Sequence, residues 1–169
     1  HTIVVSAPSN EKLGIDEVRA LIKGLIDDTG LPPQLYDPNN TIIHINPTGR
    51  YVNHSSLHDS GLTGRKLIVD SFGGYSPIGG GAQSSKDYTK VDRSGLYAGR
   101  WIAKHIVAAG LAKKCSVQLS YAIGVAKPVS VSVDTFGTYT GVSDDILSEF
   151  ILQTFSLTPR WITTKFGLD

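Results

Sequence analysis

The chain has 169 residues and a mass of 18.1 kDa, with 16 Lys+Arg against 15 Asp+Glu for a net charge of +1. That balance excludes a generic basic nucleic-acid binder and an acidic-tail protein, while leaving room for a local basic pocket. Apolar residues at 40% together with 18 glycines can build a core and exclude a disordered chain; the single cysteine, Cys115, excludes an intrachain disulfide and a cysteine-based metal site, and fits a reducing compartment.

Thr2 to Ala7 (TIVVSA) reads as a short buried strand, rich in β-branched residues. Asp16 to Asp28 reads as a helix: Val18, Leu21, Ile22 and Leu25 recur on one face, and Asp16 and Glu17 sit in the first turn, where the helix dipole favours anions. Gly30 and Pro32-Pro33 stop it. Thr41 to Asn46 (TIIHIN) is a second strand, closed by the turn Asn46-Pro47-Thr48-Gly49, so the first part is a β-α-β unit. No apolar run approaches the roughly 18 residues that cross a bilayer. The start HTIVVSAPSNEKLG lacks the basic region and cleavage site of a signal peptide. No Met occurs and His1 runs straight into the strand pattern, so the chain is expected to begin inside a larger protein.

From Arg50 to Asp92 glycine dominates, and only Lys66 to Ser71 (KLIVDS) reads as a strand. So long a stretch with few large apolar residues has no core of its own and reads as functional loops. Asp92 to Ala109 reads as a helix with Leu96, Gly99, Ile102, Ala103 and Ile106 on one face, Asp92 as N-cap and Gly110 ending it in the left-handed region. Ser116 to Ile123 and Val129 to Phe136 read as strands, the second with Val129, Val131 and Val133 alternating against Ser130, Ser132 and Asp134. Ser143 is placed to cap a short helix in which Leu147, Phe150 and Ile151 share a face, and Thr158-Pro159 opens a last one. No stop signal precedes Asp169, so the C-terminus is also expected to be incomplete.

Within the glycine-rich stretch lie Arg65, Lys66, Lys86, Lys90 and Arg93, together with Asp59, Asp70, Asp87 and Asp92. Glycines let a backbone approach a bulky anion and offer it N–H groups. Lysine and arginine balance phosphate charge, and carboxylates in such a place hold Mg²⁺ or an amine. These are the parts of a polyphosphate–metal site. Gly79 to Asp87 (GGGAQSSKD) is nevertheless not a Walker A loop: counted from Gly80 it would need Gly at 85 and Ser or Thr at 87, where the chain has Ser85 and Asp87. A generic nucleotide hydrolase therefore ranks last, and a Rossmann G-x-G-x-x-G is absent.

Four blocks decide the matter: PTGRYV (Pro47 to Val52), DSGLTGRKLIVDSFGG (Asp59 to Gly74), GGGAQSSKDYTKVDRS (Gly79 to Ser94) and VQLSYAIGVAKPVSV (Val117 to Val131). In order and spacing, from about Thr2 to Pro159, the chain resembles S-adenosylmethionine synthetase, also called methionine adenosyltransferase. The resemblance implies an α/β fold of the α+β type, with mixed sheets each backed by helices. Residues 1–52 would be the second half of the central domain and 53–169 the C-terminal domain with the phosphate-binding loops. It implies a transferase in which the methionine sulfur attacks C5′ of ATP and triphosphate leaves, to be hydrolysed to phosphate and pyrophosphate with Mg²⁺ and K⁺ assisting. It also implies a cytoplasmic homodimer with active sites at the subunit interface, able to pair as a dimer of dimers, with no nucleic acid or membrane partner.

By motif position, the resemblance places Asp59 at the methionine amino group and near the nucleotide, and Arg65, Lys66 and Lys86 on the triphosphate. Ala82 would lie against the nucleotide, Lys90 by methionine and the phosphates, and Asp92 on Mg²⁺; Arg50 and Tyr51 would pack on the adenosine, Tyr replacing the family's usual Phe. The chain departs from the pattern at Gln83, where the family has Phe, and over Asn53 to His58, where it reads G-G-P. His54 and His58 fall where the family has no catalytic His. The family's His-Pro-Asp, G-A-G-D-Q-G and Y-G-H-F-G segments do not occur in these residues, so the chain alone is expected to be inactive. The rival is a non-catalytic paralogue or truncated regulatory subunit that pairs with a full-length synthetase. Asp70 and Arg93 read as site residues or as local salt-bridge partners, the structural role being preferred; His44 and His105 are expected to be ordinary strand and helix residues, Cys115 buried and inert, and Trp101 and Trp161 packing residues.

Overall fold

β1 (Thr2–Val5) and β2 (Ile42–Ile45) pair in parallel, Thr2 opposite Ile42 and Val5 opposite Ile45, with helix α1 (Ile15–Asp28) as the crossover between them. The computed structural model describes residues 2–59, 61–62 and 64–169, and the side chains of all of these except His58 and Asp59. The chain divides into two units, His1–Gly61 with Ala122–Val125, and Leu62–Tyr121 with Ala126–Asp169. The architecture is mixed α/β, small sheets each packed with helix, as expected from the sequence.

In the first unit, Ile26, Tyr36 and Ile45 form a small core flanked by Ile3, Val5, Ile22 and Ile43. α1 buries Val18 and Ile26 and half-buries Ile22; Leu21 and Leu25, expected on that face, are exposed at 59% and 66%. The sheet has two strands and offers a narrow face to a wide helical stripe. Asn46, 3% exposed, continues the sheet past its last strand residue: its side-chain Nδ2 donates to the Ala7 carbonyl at 2.9 Å and its side-chain Oδ1 accepts from the Ala7 N–H at 2.8 Å. Arg19 ties α1 to the same place through the carbonyls of Ile45 and Asn46, at 3.1 and 3.2 Å. The Asn46-to-Gly49 turn then forms as expected, with the Gly49 N–H on the Asn46 carbonyl at 2.9 Å. It delivers Arg50 and Tyr51.

In the second unit, α4 (Val91–Ala108) packs on the antiparallel pair β3 (Ser116–Ser120) and β4 (Ser130–Asp134), with α5 (Asp144–Thr154) on β4 and α6 (Pro159–Phe166) on α4. Both strands are shorter than the sequence suggests, but β4 buries Val131 and Val133 and exposes Ser130, Ser132 and Asp134, the expected alternation. The core is Ala98, Ile102, Ile106, Val131, Val133, Leu147, Ile151, Leu157 and Ile162, with Trp101 and Trp161 packed against it. Gly99 faces the sheet where a Cβ would already sit 3.4 Å from the Val117 carbonyl oxygen, so glycine there sets the helix-to-strand approach. Thr158 caps α6 by accepting from the Trp161 N–H at 3.3 Å. Ser143 occupies the N-cap position of α5 but makes no side-chain cap bond; instead Asp144 in the first turn accepts from the Thr135 hydroxyl at 2.6 Å and N–H at 3.2 Å. Phe150, expected on the buried face of α5, is 56% exposed, while Leu147 and Ile151 are buried.

Two short helices, α2 (Ser56–Asp59) and α3 (Leu67–Asp70), precede α4. The second corrects the strand expected over Lys66 to Ser71. Its backbone closes on itself, Asp70 N–H to Lys66 carbonyl at 2.9 Å and Ser71 N–H to Leu67 carbonyl at 3.0 Å, leaving Leu67, Ile68 and Val69 exposed while Asp70 and Ser71 are buried. A short apolar run cannot by itself separate strand from helix. Here the helix carries Asp70 to the N–H groups of Gln83 and Ser84, against the β propensity of the run.

Candidate functional site

The glycine-rich loop Gly79 to Asp87 leads into α4, and the site is built around that junction. Lys90 is the helix N-cap residue and Asp92 lies one residue inside the first turn, so Asp92 is not the cap that the sequence suggested. Its carboxylate turns back toward the loop instead: Lys86 Nζ lies 2.9 Å from Asp92 Oδ2. Gly81 makes that possible, because a Cβ on it would fall 2.0 Å from Asp92 Oδ1. A lysine, a carboxylate and a bare stretch of backbone are thus brought together.

The rest of the loop is tied down by hydrogen bonds. Asp70, 6% exposed, accepts from the Gln83 N–H at 3.1 Å, the Ser84 N–H at 3.0 Å and the Ser84 hydroxyl. These donors, the Ser84 hydroxyl foremost, hold its carboxyl below the usual carboxylate range against the opposing effect of burial. Arg93 donates to the Lys86 carbonyl and to the Tyr97 hydroxyl. Asp70 and Arg93 therefore form no direct salt bridge with each other; each serves the loop backbone. Sequence reasoning undervalued Asp70 because it treated the residue as a charge seeking a charge, whereas its partners are N–H and O–H groups thirteen and fourteen residues away.

The other expected residues are placed as follows. Lys90 pairs with Asp87 at 3.4 Å rather than with Asp92, and Asp87, bonded chiefly by the Thr89 hydroxyl, is also held below its usual range. Arg65 and Lys66 are exposed at the start of α3 and make no ion pair among the described residues. Ala82 is buried, so its methyl faces the protein and what it can offer a ligand is backbone. In the first unit, Arg50 donates to the Glu11 carbonyl, and Tyr51, 40% exposed, stands edge-on to His54 with ring centroids 6.5 Å apart. Asp59 and His58 have side chains outside the described residues. Cys115 is half-buried, its thiol pushed up to about 11 by burial and then by Asp144 and Asp134. His105 packs on Trp101 with the rings tilted at 48° and their centroids 4.4 Å apart, and its Nδ1 bonds the Trp101 carbonyl; His44 is an ordinary residue of β2.

Among the described residues, no cluster of three His, Cys, Asp or Glu side chains forms a cage for a metal. The donor set at Asp92 suits a different mode. Mg²⁺ retains much of its hydration and is commonly held by one or two carboxylates plus the oxygens of a bound phosphate. One carboxylate beside a lysine fits that mode and does not fit an all-protein site.

A family profile described as "S-adenosylmethionine synthetase, C-terminal domain" matches residues 54–169. The S-adenosylmethionine synthase of Lacticaseibacillus casei is 53% identical over 167 residues, which are 99% of this chain and 42% of that protein. The synthase of Lacticaseibacillus paracasei matches to the same extent. A solved structure described as an unusual S-adenosylmethionine synthetase from Campylobacter jejuni is 76% identical, with a TM-score of 0.59, covering 99% of this chain and 44% of that one. The chain spans less than half the length of these relatives.

Proposed function

The chain belongs to the S-adenosylmethionine synthetase family, and from that premise we propose that it supplies the triphosphate, methionine and magnesium ligands of an enzyme that converts ATP, methionine and water to S-adenosylmethionine, phosphate and pyrophosphate. In this reading the methionine sulfur forms a bond to C5′ as the bond to triphosphate breaks. The leaving group carries about four negative charges, so its departure is fast only where fixed cations already face it. Lys86, Lys90, Arg65 and Lys66 are the groups that balance that charge. Arg50 and Tyr51 pack on the adenosine, Asp59 takes the methionine ammonium, and the backbone at Ala82 lies against the nucleotide. Residues 1–52 belong to the central domain and 53–169 to the C-terminal domain, a division supported by a profile match beginning at 54.

Asp92 is the residue that would hold Mg²⁺, which when bound neutralises phosphate oxygens. K⁺ belongs to the proposal through the family resemblance, and no residue here is assigned to it. The assembly is a cytoplasmic homodimer with its active sites at the subunit interface, able to pair as a dimer of dimers. Exposed charged loops with little core of their own support that reading. Among the described residues, no helix is long and apolar enough to cross a membrane.

The observation that carries the proposal is the 2.9 Å contact of Lys86 with Asp92 at a glycine-rich loop, a phosphate-type cation and a magnesium-type carboxylate held side by side. The test is a chimera in which this chain replaces the matching part of the Lacticaseibacillus casei synthase. Formation of S-adenosylmethionine from ATP and methionine, reduced about a hundredfold or more by Lys86→Ala, is the expected result. A folded chimera that binds its partner segments but makes no product supports the non-catalytic, regulatory reading instead.

A further inference from the structure

The turn that carries Lys86 is pinned from two different elements. From the end of α3, Asp70 takes the N–H groups of Gln83 and Ser84 at 3.1 and 3.0 Å, and the Ser84 hydroxyl. From the first turns of α4, Arg93 takes the Lys86 carbonyl, with its own guanidinium braced on the Tyr97 hydroxyl at 2.6 Å and lying over the Tyr97 ring at 5.7 Å. Between these anchors Ser85 stands at φ 70°, and the Lys86 N–H reaches back to the Gln83 carbonyl at 3.4 Å. Among the described residues, the backbone ties of Gln83 to Lys86 thus end on Asp70, on Arg93 or within the turn itself.

We infer that Asp70 and Arg93 are positioning residues, a two-point clamp that fixes the loop so that Lys86 Nζ is presented at Asp92. The inference deepens the function proposed above and rests on it for the ligand, a triphosphate. The physical need is plain. Gly79, Gly80 and Gly81 leave the loop conformationally loose, and lysine has a flexible four-carbon stem. A charge stabilises a departing anion only to the degree that it is already in place. The clamp supplies that order through backbone, and neither of its residues touches the ligand position that Lys86 and Asp92 define. A purely architectural role would lower stability and leave the affinity of the folded protein unchanged. Positioning loosens the turn and weakens the anion site while the α4–β3–β4 core stays intact.

The test uses the 169-residue chain, with inorganic tripolyphosphate and magnesium chloride as the probe, read by calorimetry and by amide hydrogen exchange. In Asp70→Asn the Gln83 and Ser84 amides are expected to exchange about tenfold faster or more, with those of α4 and β4 unchanged, and tripolyphosphate to bind about tenfold more weakly. If Asp70→Asn does not fold, the Ser84 pair decides: Ser84→Ala weakens binding, and Ser84→Thr, which keeps the hydroxyl, restores it. Arg93→Lys, which loses the forked donor, is expected to weaken binding in the same direction. Unchanged exchange at Ser84, or faster exchange with unchanged affinity, overturns the inference. Failure of the unmodified chain to take up tripolyphosphate overturns the proposed function, and the exchange arm then decides by itself whether Asp70 orders the loop.

Discussion

Lys86 and Asp92 meet at 2.9 Å with side chains 25% and 42% exposed. An ion pair that wet contributes at most about 1 kcal/mol to stability. It is therefore a poor device for holding a fold and a good one for exchange: a phosphate can take the ammonium and a cation the carboxylate at little cost. The glycine-rich loop is ordered by other bonds, chiefly those of Asp70, so opening this pair leaves the loop standing.

Two glycines separate the site from the scaffold. At Gly81 the three atoms nearest an added Cβ all belong to the Asp92 carboxylate, the end of a side chain that can rotate away. Gly81→Ala is expected to change unfolding stability by less than about 1 kcal/mol, yet to break the Lys86–Asp92 contact and weaken anion binding. At Gly124, with φ 81°, an added Cβ meets backbone, Thr48 N at 2.9 Å and the Pro47 carbonyl carbon at 3.1 Å. Gly124→Ala is expected to cost about 1–3 kcal/mol in denaturant unfolding, because neither atom can move without the turn before Arg50.

Acid is expected to release the loop before it unfolds the core. The carboxyl of Asp70 lies below its usual range because the Ser84 hydroxyl and the loop N–H groups bond its charged form. A carboxyl depressed in the folded state contributes stability that is fully present above the unfolded value of about 3.9 and lost as pH falls through the folded value. Protection of the Ser84 amide should therefore hold at pH 5 and fall steadily toward pH 2. In Asp70→Asn that pH dependence should be absent.

Cys115 should behave as an inert thiol. With its thiol pushed up to about 11, almost no thiolate is present near neutrality. A thiol-specific disulfide reagent at pH 8 is expected to label the native chain about a hundredfold more slowly than the urea-unfolded chain. Equal rates would show that the residue is more accessible than its half-buried position just before β3 implies.

The elements that the sequence made legible are those whose signal is local. The β4 alternation of Val131 and Val133 against serines, the Thr158-Pro159 start of α6 and the Asn46-to-Gly49 turn each follow from a few adjacent residues, and each is present. What was not legible depends on partners distant in the chain. Lys66 to Ser71 carries strand-forming residues but coils into α3, with Asp70 bonded to a loop that lies thirteen residues further on. Asp92 stands at a plausible cap position, but the bare backbone at Gly81 and the ammonium of Lys86 draw its carboxylate out of that role. Leu21 and Leu25 match the helical period, but the small core around the two-stranded sheet takes in Ile22 and Ile26 and leaves both leucines exposed. The charged set of the site was readable as composition, whereas its pairing (Lys86 with Asp92, Lys90 with Asp87) was not.

The most direct measurement follows the side-chain ammonium signals of Lys86 and Lys90 by NMR while the chain is titrated with a non-hydrolysable ATP analogue and magnesium. Saturable shifts at Lys86, with binding weakened about tenfold or more in Lys86→Ala, are the predicted result. Ammonium signals that stay fixed at millimolar analogue, with the Lys86–Asp92 contact intact throughout, would contradict it.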